Sequence, residues 1–383
     1  MASLYNRSLE IIKQGQSASG AYIACPNFPS YQFAWLRDGS FTAHAMDTAG
    51  EFASAEAFFR WVGRTITAHA GKLDEIRRTV QSGRALGKDD VLHTRFTLMG
   101  EETTADSGWG NFQIDGYGTW LWALGEHIRL SGNHGLAREL NAAAAVTLDY
   151  LELVWLTPNY DCWEEYPEYL HPYSLASAFA GFRAAEEMIR AGWLEGDADR
   201  CARLAANASA YLLTYGVLEG RLAKHIQPAA GGEPPKPIPN NGVDASLMGA
   251  AVPYGLLPLE HPILRATLQA AERDLRRPGG GVYRYRADVY YGGGEWILLT
   301  AWLGWVYVLC GQPEKAAPLL EWIEAQADAD GQLPEQVNDH PLAAAHYQPW
   351  LKKWGPVARP LLWSHGMYII LRNALKGEQT HGG

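Results

Sequence analysis

Five short stretches of this chain set carboxylates, arginines and aromatic rings side by side. The densest is Tyr160-Asp-Cys-Trp-Glu-Glu-Tyr-Pro-Glu168, where four carboxylates sit among three rings in a segment that Pro167 keeps from being a regular helix. Carboxyls crowded against rings and against one another lose solvation and repel, so one of them should hold its proton near neutral pH, as a general acid must. In Tyr31-Gln-Phe-Ala-Trp-Leu-Arg-Asp38, Arg37 and Asp38 stand together behind Tyr31 and Trp35, a donor and an acceptor suited to clasping vicinal hydroxyls. The same pair reads equally as an N-cap aspartate with an incidental arginine. Trp109-Gly-Asn-Phe-Gln-Ile-Asp115 again places an aromatic and polar residues at the mouth of a helix, or else an N-cap Asp115 beneath a core tryptophan. Tyr283 to Trp296 mixes Arg284, several rings and three glycines ahead of a helix. Those glycines fail the dinucleotide pattern because no strand precedes them, which leaves a sugar subsite or a plain loop. Finally, Gly331-Gln-Leu-Pro-Glu-Gln336 offers Glu335 beside an amide. Alone it looks like any exposed turn, and it lies so far along the chain from Glu164 that only a closed ring can bring the two carboxylates together.

The elements that must position these groups are helical. Reading for 3.6-residue periodicity places helices at about 3 to 15, 39 to 48, 51 to 70, 115 to 131, 134 to 155, 173 to 192, 195 to 217, 243 to 252, 261 to 275, 293 to 311, 313 to 328 and 361 to 375. No strand pattern stands out. Very short turns such as Ser131-Gly-Asn-His134 and Cys310-Gly-Gln-Pro313 make antiparallel helical neighbours, Gly ending one helix and Pro opening the next. Six long segments rich in Gly, Pro and aromatics, at 18 to 38, 71 to 114, 156 to 172, 218 to 242, 276 to 292 and 329 to 360, alternate with these turns. That alternation puts the long loops on one face of a packed array, and a closed ring of helical hairpins is the economical form. No polar linker divides the chain, so the reading is one domain over 1–383.

Composition narrows the partners. With 32 basic and 42 acidic residues, the 383-residue chain has a net charge of −10, which disfavours nucleic acid and anionic membrane surfaces. No apolar run approaches a membrane span, and the first residues lack the layout of a secretory signal, so the expected location is cytoplasmic. The 15 Trp and 19 Tyr outnumber 10 Phe, and many of these rings lie in turn-like segments where they suit stacking on a polar ligand. Cys25, Cys162, Cys201 and Cys310 are scattered singly, and the 12 His do not cluster, so neither metal nor cofactor is expected.

Taken together and in order, these stretches resemble glycoside hydrolase family 15, the glucoamylase and glucodextranase family. The likeness rests on Trp35-Leu-Arg-Asp38, Trp109-Gly through Gln113 to Asp115-Gly116, Trp163-Glu164-Glu165, Asp244-Ala-Ser246, Arg284-Tyr285 with Asp288 and Tyr290-Tyr291, Glu335-Gln336 and Trp363-Ser364-His365. It implies an all-α fold, an (α/α)6 barrel of twelve helices with the long loops on the active-site face. It further implies that Glu164 is the general acid and Glu335 the general base. Glu165 resembles the residue holding the sugar on the leaving side, Tyr31 and Gln336 groups around the attacking water, and Arg37 and Asp38 those gripping the terminal glucose. Arg284 resembles a residue near the scissile linkage, and Trp109, Trp296 and Trp363 resemble pocket aromatics, with Trp35 and Trp163 inside the matched motifs.

The activity so implied is an inverting, exo-acting α-glucosidase that releases β-glucose from soluble α-1,4 or α-1,6 gluco-oligosaccharides. Inversion requires carboxyls roughly 6.5 to 9.5 Å apart, leaving room for water. The chain begins near the first barrel helix, without the β-sandwich usual in bacterial relatives, and carries no starch-binding module, which argues for soluble substrates. The stretch 338 to 360, with His340, Trp350, Lys353 and Trp354, has no family counterpart and reads as a lid on one side of the pocket or as an ordered surface loop. Other readings are a trehalose hydrolase, a sugar-sensing domain lacking hydrolysis, and a phosphorylase on the same barrel; possession of both Glu164 and Glu335 speaks against the last two. Monomer or oligomer is left open by the sequence.

Overall fold

The computed structural model describes residues 3–87, 90–103 and 109–377. The termini of the expected domain 1–383, and residues 88, 89 and 104 to 108 of the long segment 71 to 114, lie outside the described residues. The helices are α1 (Leu4–Gln14), α2 (Leu36–Thr48), α3 (Phe52–Ala68), α4 (Leu73–Gln81), α5 (Asp115–Ser131), α6 (His134–Glu139), α7 (Asn141–Val154), α8 (Pro172–Arg190), α9 (Ala198–Tyr215), α10 (Met248–Ala251), α11 (Pro262–Leu275), α12 (Ile297–Leu309), α13 (Pro313–Ala325), α14 (Tyr347–Trp354) and α15 (Leu362–Leu375).

Six of them close a ring. α2 packs on α5, α5 on α8, α8 on α10, α10 on α12, α12 on α15, and α15 back on α2. Around it α1 packs on α15, α3 on α2, α7 on α3 and α8, α9 on α8, α11 on α10, and α13 on α12. This is the (α/α)6 arrangement, built from the twelve helices that the periodicity locates. A helix buried on every side must be apolar nearly all round, and α12 (ILLTAWLGWVYVL) is buried from Ile297 to Tyr307. α10 is the shortest member of the ring, continuing a 3-10 turn over Ala245–Leu247. Val252 leaves the helix in extended geometry, as the residue before Pro253 is biased to do.

The expected elements differ from the observed ones in instructive places. The single helix read over 134 to 155 breaks into α6 and α7 at Leu140, where Asn141 turns its side chain to accept a hydrogen bond from the Glu195 N–H at 2.8 Å. α4 and α14 fall inside segments read as loops. α4 buries only Leu73, Ile76 and Thr79, too few apolar positions to announce a helix, and α14 carries Pro349 in its first turn, where proline is tolerated. Among the described residues there are also nine two-residue strands: β1 (Ala34–Trp35), β2 (Arg95–Phe96), β3 (Val217–Leu218), β4 (Arg221–Leu222), β5 (Ile226–Gln227), β6 (Lys236–Pro237), β7 (Val282–Tyr283), β8 (Glu295–Trp296) and β9 (Gln336–Val337). They are too short to show alternation in the sequence. β1 pairs with β2, and β7, β8 and β9 form a three-stranded antiparallel sheet.

β1 runs directly into α2 and β8 directly into α12, so these pairings aim the first turns of two inner helices. Each of the six long segments precedes an inner helix, and so they emerge together at one end of the barrel. Helices α5 and α8 touch through glycines: a Cβ on Gly118 would lie inside the Ser177 carbonyl, and one on Gly181 would press on the Gly118 backbone. At the same crossing the Ser177 hydroxyl donates to the Asp115 carbonyl at 2.5 Å. Gly118→Ala should therefore lower unfolding free energy by about 2 kcal/mol, an overpacking effect. Gly125→Ala, in the same helix, meets only the Ala184 Cβ at 3.4 Å and should be neutral or stabilising through helix propensity. Chemical denaturation of the two variants checks the opposite signs.

Candidate active site

The segments preceding α2, α5, α8, α12 and α15 converge on a cavity of about 420 Å³. Its lining includes Tyr31, Trp35, Arg37, Asp38, Trp109, Trp163, Glu164, Glu165, Arg284, Trp296, Glu335 and Trp363. Residues from nearly both ends of the chain thus share one chamber.

Arg37 and Asp38 sit in the first turn of α2, whose N-cap is Trp35 and not Asp38. Asp115 is likewise inside its helix, the first residue of α5. The capping alternative therefore fails for both carboxylates. Arg37, 4% exposed, donates from Nη1 to Asp115 Oδ2 at 3.0 Å and to Gln113 Oε1 at 2.8 Å, and its Nε lies 3.3 Å from Asp38 Oδ2. Its guanidinium also lies over Trp363, 5.4 Å from the ring centroid. Burial pushes the Asp38 carboxyl up to about 6, against the pull of Arg37.

Glu164 stands at a turn with φ of +67°, a conformation rare for any residue but glycine. The turn is imposed by Asp161, whose Oδ1 accepts from the N–H groups of Trp163 and Glu165, both at 2.9 Å, while its carbonyl accepts from the Glu164 N–H. A strained backbone held by such a clamp is commonly found at functional sites. The Trp35 indole donates from Nε1 to Glu164 Oε1 at 2.7 Å. The crowding that should leave one carboxyl of this stretch protonated acts most plainly on Asp161, which burial, with Glu165 and Asp244 nearby, holds well above the usual carboxylate range. Asp161 is the structural clamp and does not line the cavity.

Glu165 accepts from the Tyr285 hydroxyl and lies 3.6 Å from Arg284 Nη2, which itself makes a two-pronged bond to Asp288 at 2.7 and 2.6 Å. Beneath them lies Lys224, which motif reading passed over: buried, it pairs with Asp244 at 3.3 Å and sits 3.0 Å from the Tyr285 ring centroid, and Asp244 accepts from the Trp163 indole at 3.0 Å. Lys224 lies amid ordinary loop residues, so no local pattern marks it.

Glu335 lines the same cavity. Its backbone bonds to Ala358 and Ile297, and its Oε1 accepts from the Tyr31 hydroxyl at 3.0 Å, which is 3.0 Å from the Tyr290 hydroxyl. Oε2 is buried and takes no hydrogen bond from the described residues, so it is left for what enters the cavity. Burial pushes this carboxyl up to about 8; the Tyr31 hydrogen bond and the Arg284 charge act in the other direction. Glu164 and Glu335 are each held by a different ring, and those rings, Trp35 and Tyr31, meet edge to face at 5.8 Å.

Gln336 is the exception among the expected residues: it is absent from the lining of this cavity. Glu335 lines the cavity just ahead of β9, whereas Gln336, the first residue of β9, is turned to the glycine turn, its Oε1 accepting from the Gly294 N–H at 2.8 Å and from Asn338 at 3.2 Å. Trp350, Lys353 and Trp354 of α14 complete the lining. The four cysteines are unpaired, and no cluster of metal-ligating residues exists among the described residues. No helix among the described residues is long and apolar enough to cross a membrane.

The model of the family described as glycosyl hydrolases family 15 matches residues 2–353. An isomaltose glucohydrolase from Kribbella flavida is 40% identical over 377 residues, which span 97% of this chain and 92% of that protein. A solved glycosidase matches with a TM-score of 0.87 and 39% identity over 97% of this chain and 96% of that one, and a glycosidase structure in complex with glucose gives the same values. A bacterial glucoamylase complexed with acarbose shares the fold, with a TM-score of 0.74 at 19% identity over 98% of this chain and 55% of that one. On the collinear motifs, the closed helical ring and these matches together, the chain belongs to glycosyl hydrolase family 15 and is a glycoside hydrolase.

Proposed function

We propose that the protein is an inverting, exo-acting α-glucosidase that removes glucose from the non-reducing end of short α-gluco-oligosaccharides, with the α-1,6 bond of isomaltose as its first substrate. The observation that carries this reading is that Glu164 and Glu335 line one cavity, each fixed by its own aromatic hydrogen-bond donor. The relative of 40% identity, an isomaltose glucohydrolase, supports the linkage.

In this mechanism Glu164 gives its proton to the glycosidic oxygen as the C–O bond breaks. Glu335, as carboxylate, takes a proton from a water that attacks the anomeric carbon from the other face, so the product is β-glucose. The carboxyl separation should lie between about 6.5 and 9.5 Å, the spacing of inverting enzymes. Arg37 and Asp38 hold the terminal glucose through its hydroxyls, so that binding away from the bond orients the anomeric carbon. Glu165 and Arg284 face the leaving side, and Trp109, Trp163, Trp296 and Trp363 wall the sugar. Gln336 acts on the site through the backbone of the glycine turn at Gly294. The catalytic unit is a single barrel domain.

Proton NMR of isomaltose, maltose and trehalose digests in phosphate-free buffer should show fresh β-glucose, with isomaltose consumed fastest. Appearance of α-glucose, or dependence on added phosphate, would overturn the mechanism. Glu335→Gln should lower kcat by about 10²- to 10⁴-fold. Glu164→Gln should do so for isomaltose while sparing much of the activity on α-glucosyl fluoride, whose leaving group needs no proton.

The raised Glu335 carboxyl also fixes a pH dependence. A base must be ionised, so kcat/KM of the wild type should rise with pH up to the Glu335 titration. Tyr31→Phe removes a hydrogen bond that favours the ionised form, and the acid limb of kcat/KM should move to higher pH. Stability carries the opposite sign. Between its ordinary value of 4.5 and about 8 the native state keeps a proton that the unfolded chain releases, so stability from this group falls as pH rises. Glu335→Gln should therefore melt higher than wild type at pH 8, by roughly a few degrees, with the gap closing toward pH 4.5. Thermal scans across pH measure that gap.

A further inference from the structure

We propose that Trp354 and Lys353, at the C-terminal end of α14, form the platform that receives the leaving-side sugar and so set which short oligosaccharides are accepted. This rests on the glucosidase reading above. The stretch 338 to 360 is bound to the barrel as a strap. Leu342 and Ala343 donate backbone hydrogen bonds to Gly293 and Gly292 at 3.0 and 2.8 Å, and the Tyr291 hydroxyl donates to the Gly355 carbonyl at 2.8 Å. Trp350 packs on Tyr290 and Tyr291, with centroids 5.0 and 6.1 Å away. Tyr290 in turn meets the Tyr31 hydroxyl that holds Glu335, so α14 is anchored to the wall that carries this carboxylate.

Beyond that anchor the strap presents groups that the barrel does not use. Five large hydrophobic residues are exposed among the described residues, and two of them, Val289 at 39% and Trp354 at 36%, border this cavity. Among the described residues no second ring packs on Trp354; its neighbour is the Lys353 ammonium, 5.0 Å from its centroid and 5.3 Å from that of Trp350. Among the described residues Lys353 makes no ion pair. A pyranose has an apolar C–H face and a rim of hydroxyls. A partly exposed indole suits the first, and an ammonium free of a counter-charge suits the second. The carboxylates Glu164 and Glu165 on the same lining make a neutral leaving sugar the fitting occupant, ahead of an anionic one.

The test compares isomaltose, whose leaving group is a sugar, with α-glucosyl fluoride, whose leaving group occupies no platform. In Trp354→Ala the ratio of kcat/KM for isomaltose to that for the fluoride should fall at least tenfold, mainly through KM of isomaltose. Lys353→Gln should lower it about threefold, and Trp354→Phe should restore most of it. A ratio within twofold of wild type in both Trp354→Ala and Lys353→Gln would overturn the proposal. Equal losses on both substrates would do the same, marking Trp354 as a structural cap of the strap. If the wild-type protein turned over neither compound, the glucosidase reading would fail instead. Calorimetric titration with isomaltose and with glucose would then decide the platform: Trp354→Ala erasing the preference for the disaccharide supports it, and an intact preference overturns it.

Discussion

Everything at the site depends on closure of the inner ring, where α2 is held between α5 on one side and α15 on the other. Arg37 lies at that closure, bonded to Asp115 of α5 and stacked over Trp363 of α15. A buried guanidinium needs close partners because the desolvation of its charge is large; here Nη1 has two acceptors, and Nε, without a hydrogen bond, lies 3.3 Å from the Asp38 carboxylate. The same ion pair that satisfies this demand locks the first turn of α2, and with it Asp38, at the mouth of the barrel. Gly118 and Gly181 let α5 and α8 approach closely enough for Ser177 to reach the Asp115 carbonyl, so close helix contact deep in the barrel bears on the geometry of a polar residue at its rim.

The chamber and the turn behind it hold several carboxyls in surroundings that disfavour their charge. Asp38, Asp161 and Glu335 are all pushed upward by burial. Different groups restrain each: Arg37 for Asp38, the N–H groups of its own turn for Asp161, and Tyr31 with Arg284 for Glu335. The positive φ at Glu164 adds backbone strain at the same place. Sites of this kind trade stability for groups whose protonation can change during a reaction, and the large aromatic and aliphatic core of the surrounding helices supplies the excess stability that such a trade requires. Tyr31 links the features, since one hydroxyl bonds Glu335 and touches Tyr290, on which the α14 strap rests.

Much of this was legible in the residues. The twelve barrel helices follow from apolar periodicity and from Gly and Pro punctuation, and Asp38, Glu164 and Glu165 lie in motifs dense enough to stand out, while Glu335 is marked only by the collinear likeness to the family. Particular residues show where local pattern ends. Asp38 and Asp115 look like caps because caps and site acids share residue types, and only their buried arginine partner distinguishes them. Gln336 looks like its neighbour Glu335, yet its side-chain oxygen is taken by the Gly294 N–H across the β8–β9 pairing. Lys224 supports the Trp163 and Glu165 region from a loop with no motif of its own, and α14 is concealed by Pro349.

The sequence by itself determined the family, the helical periods, and the kinds of group available for chemistry, because those depend on residue type and on spacing over a few turns. Only the tertiary structure decided which of those groups meet. Glu164 and Glu335 are brought to one cavity by the packing of α15 back onto α2, a contact between the two ends of the chain. The exposure of Trp354, the pairing of Arg37 and the upward shift of Glu335 arise the same way, since burial and charge environment are properties of the assembled ring and of no single segment.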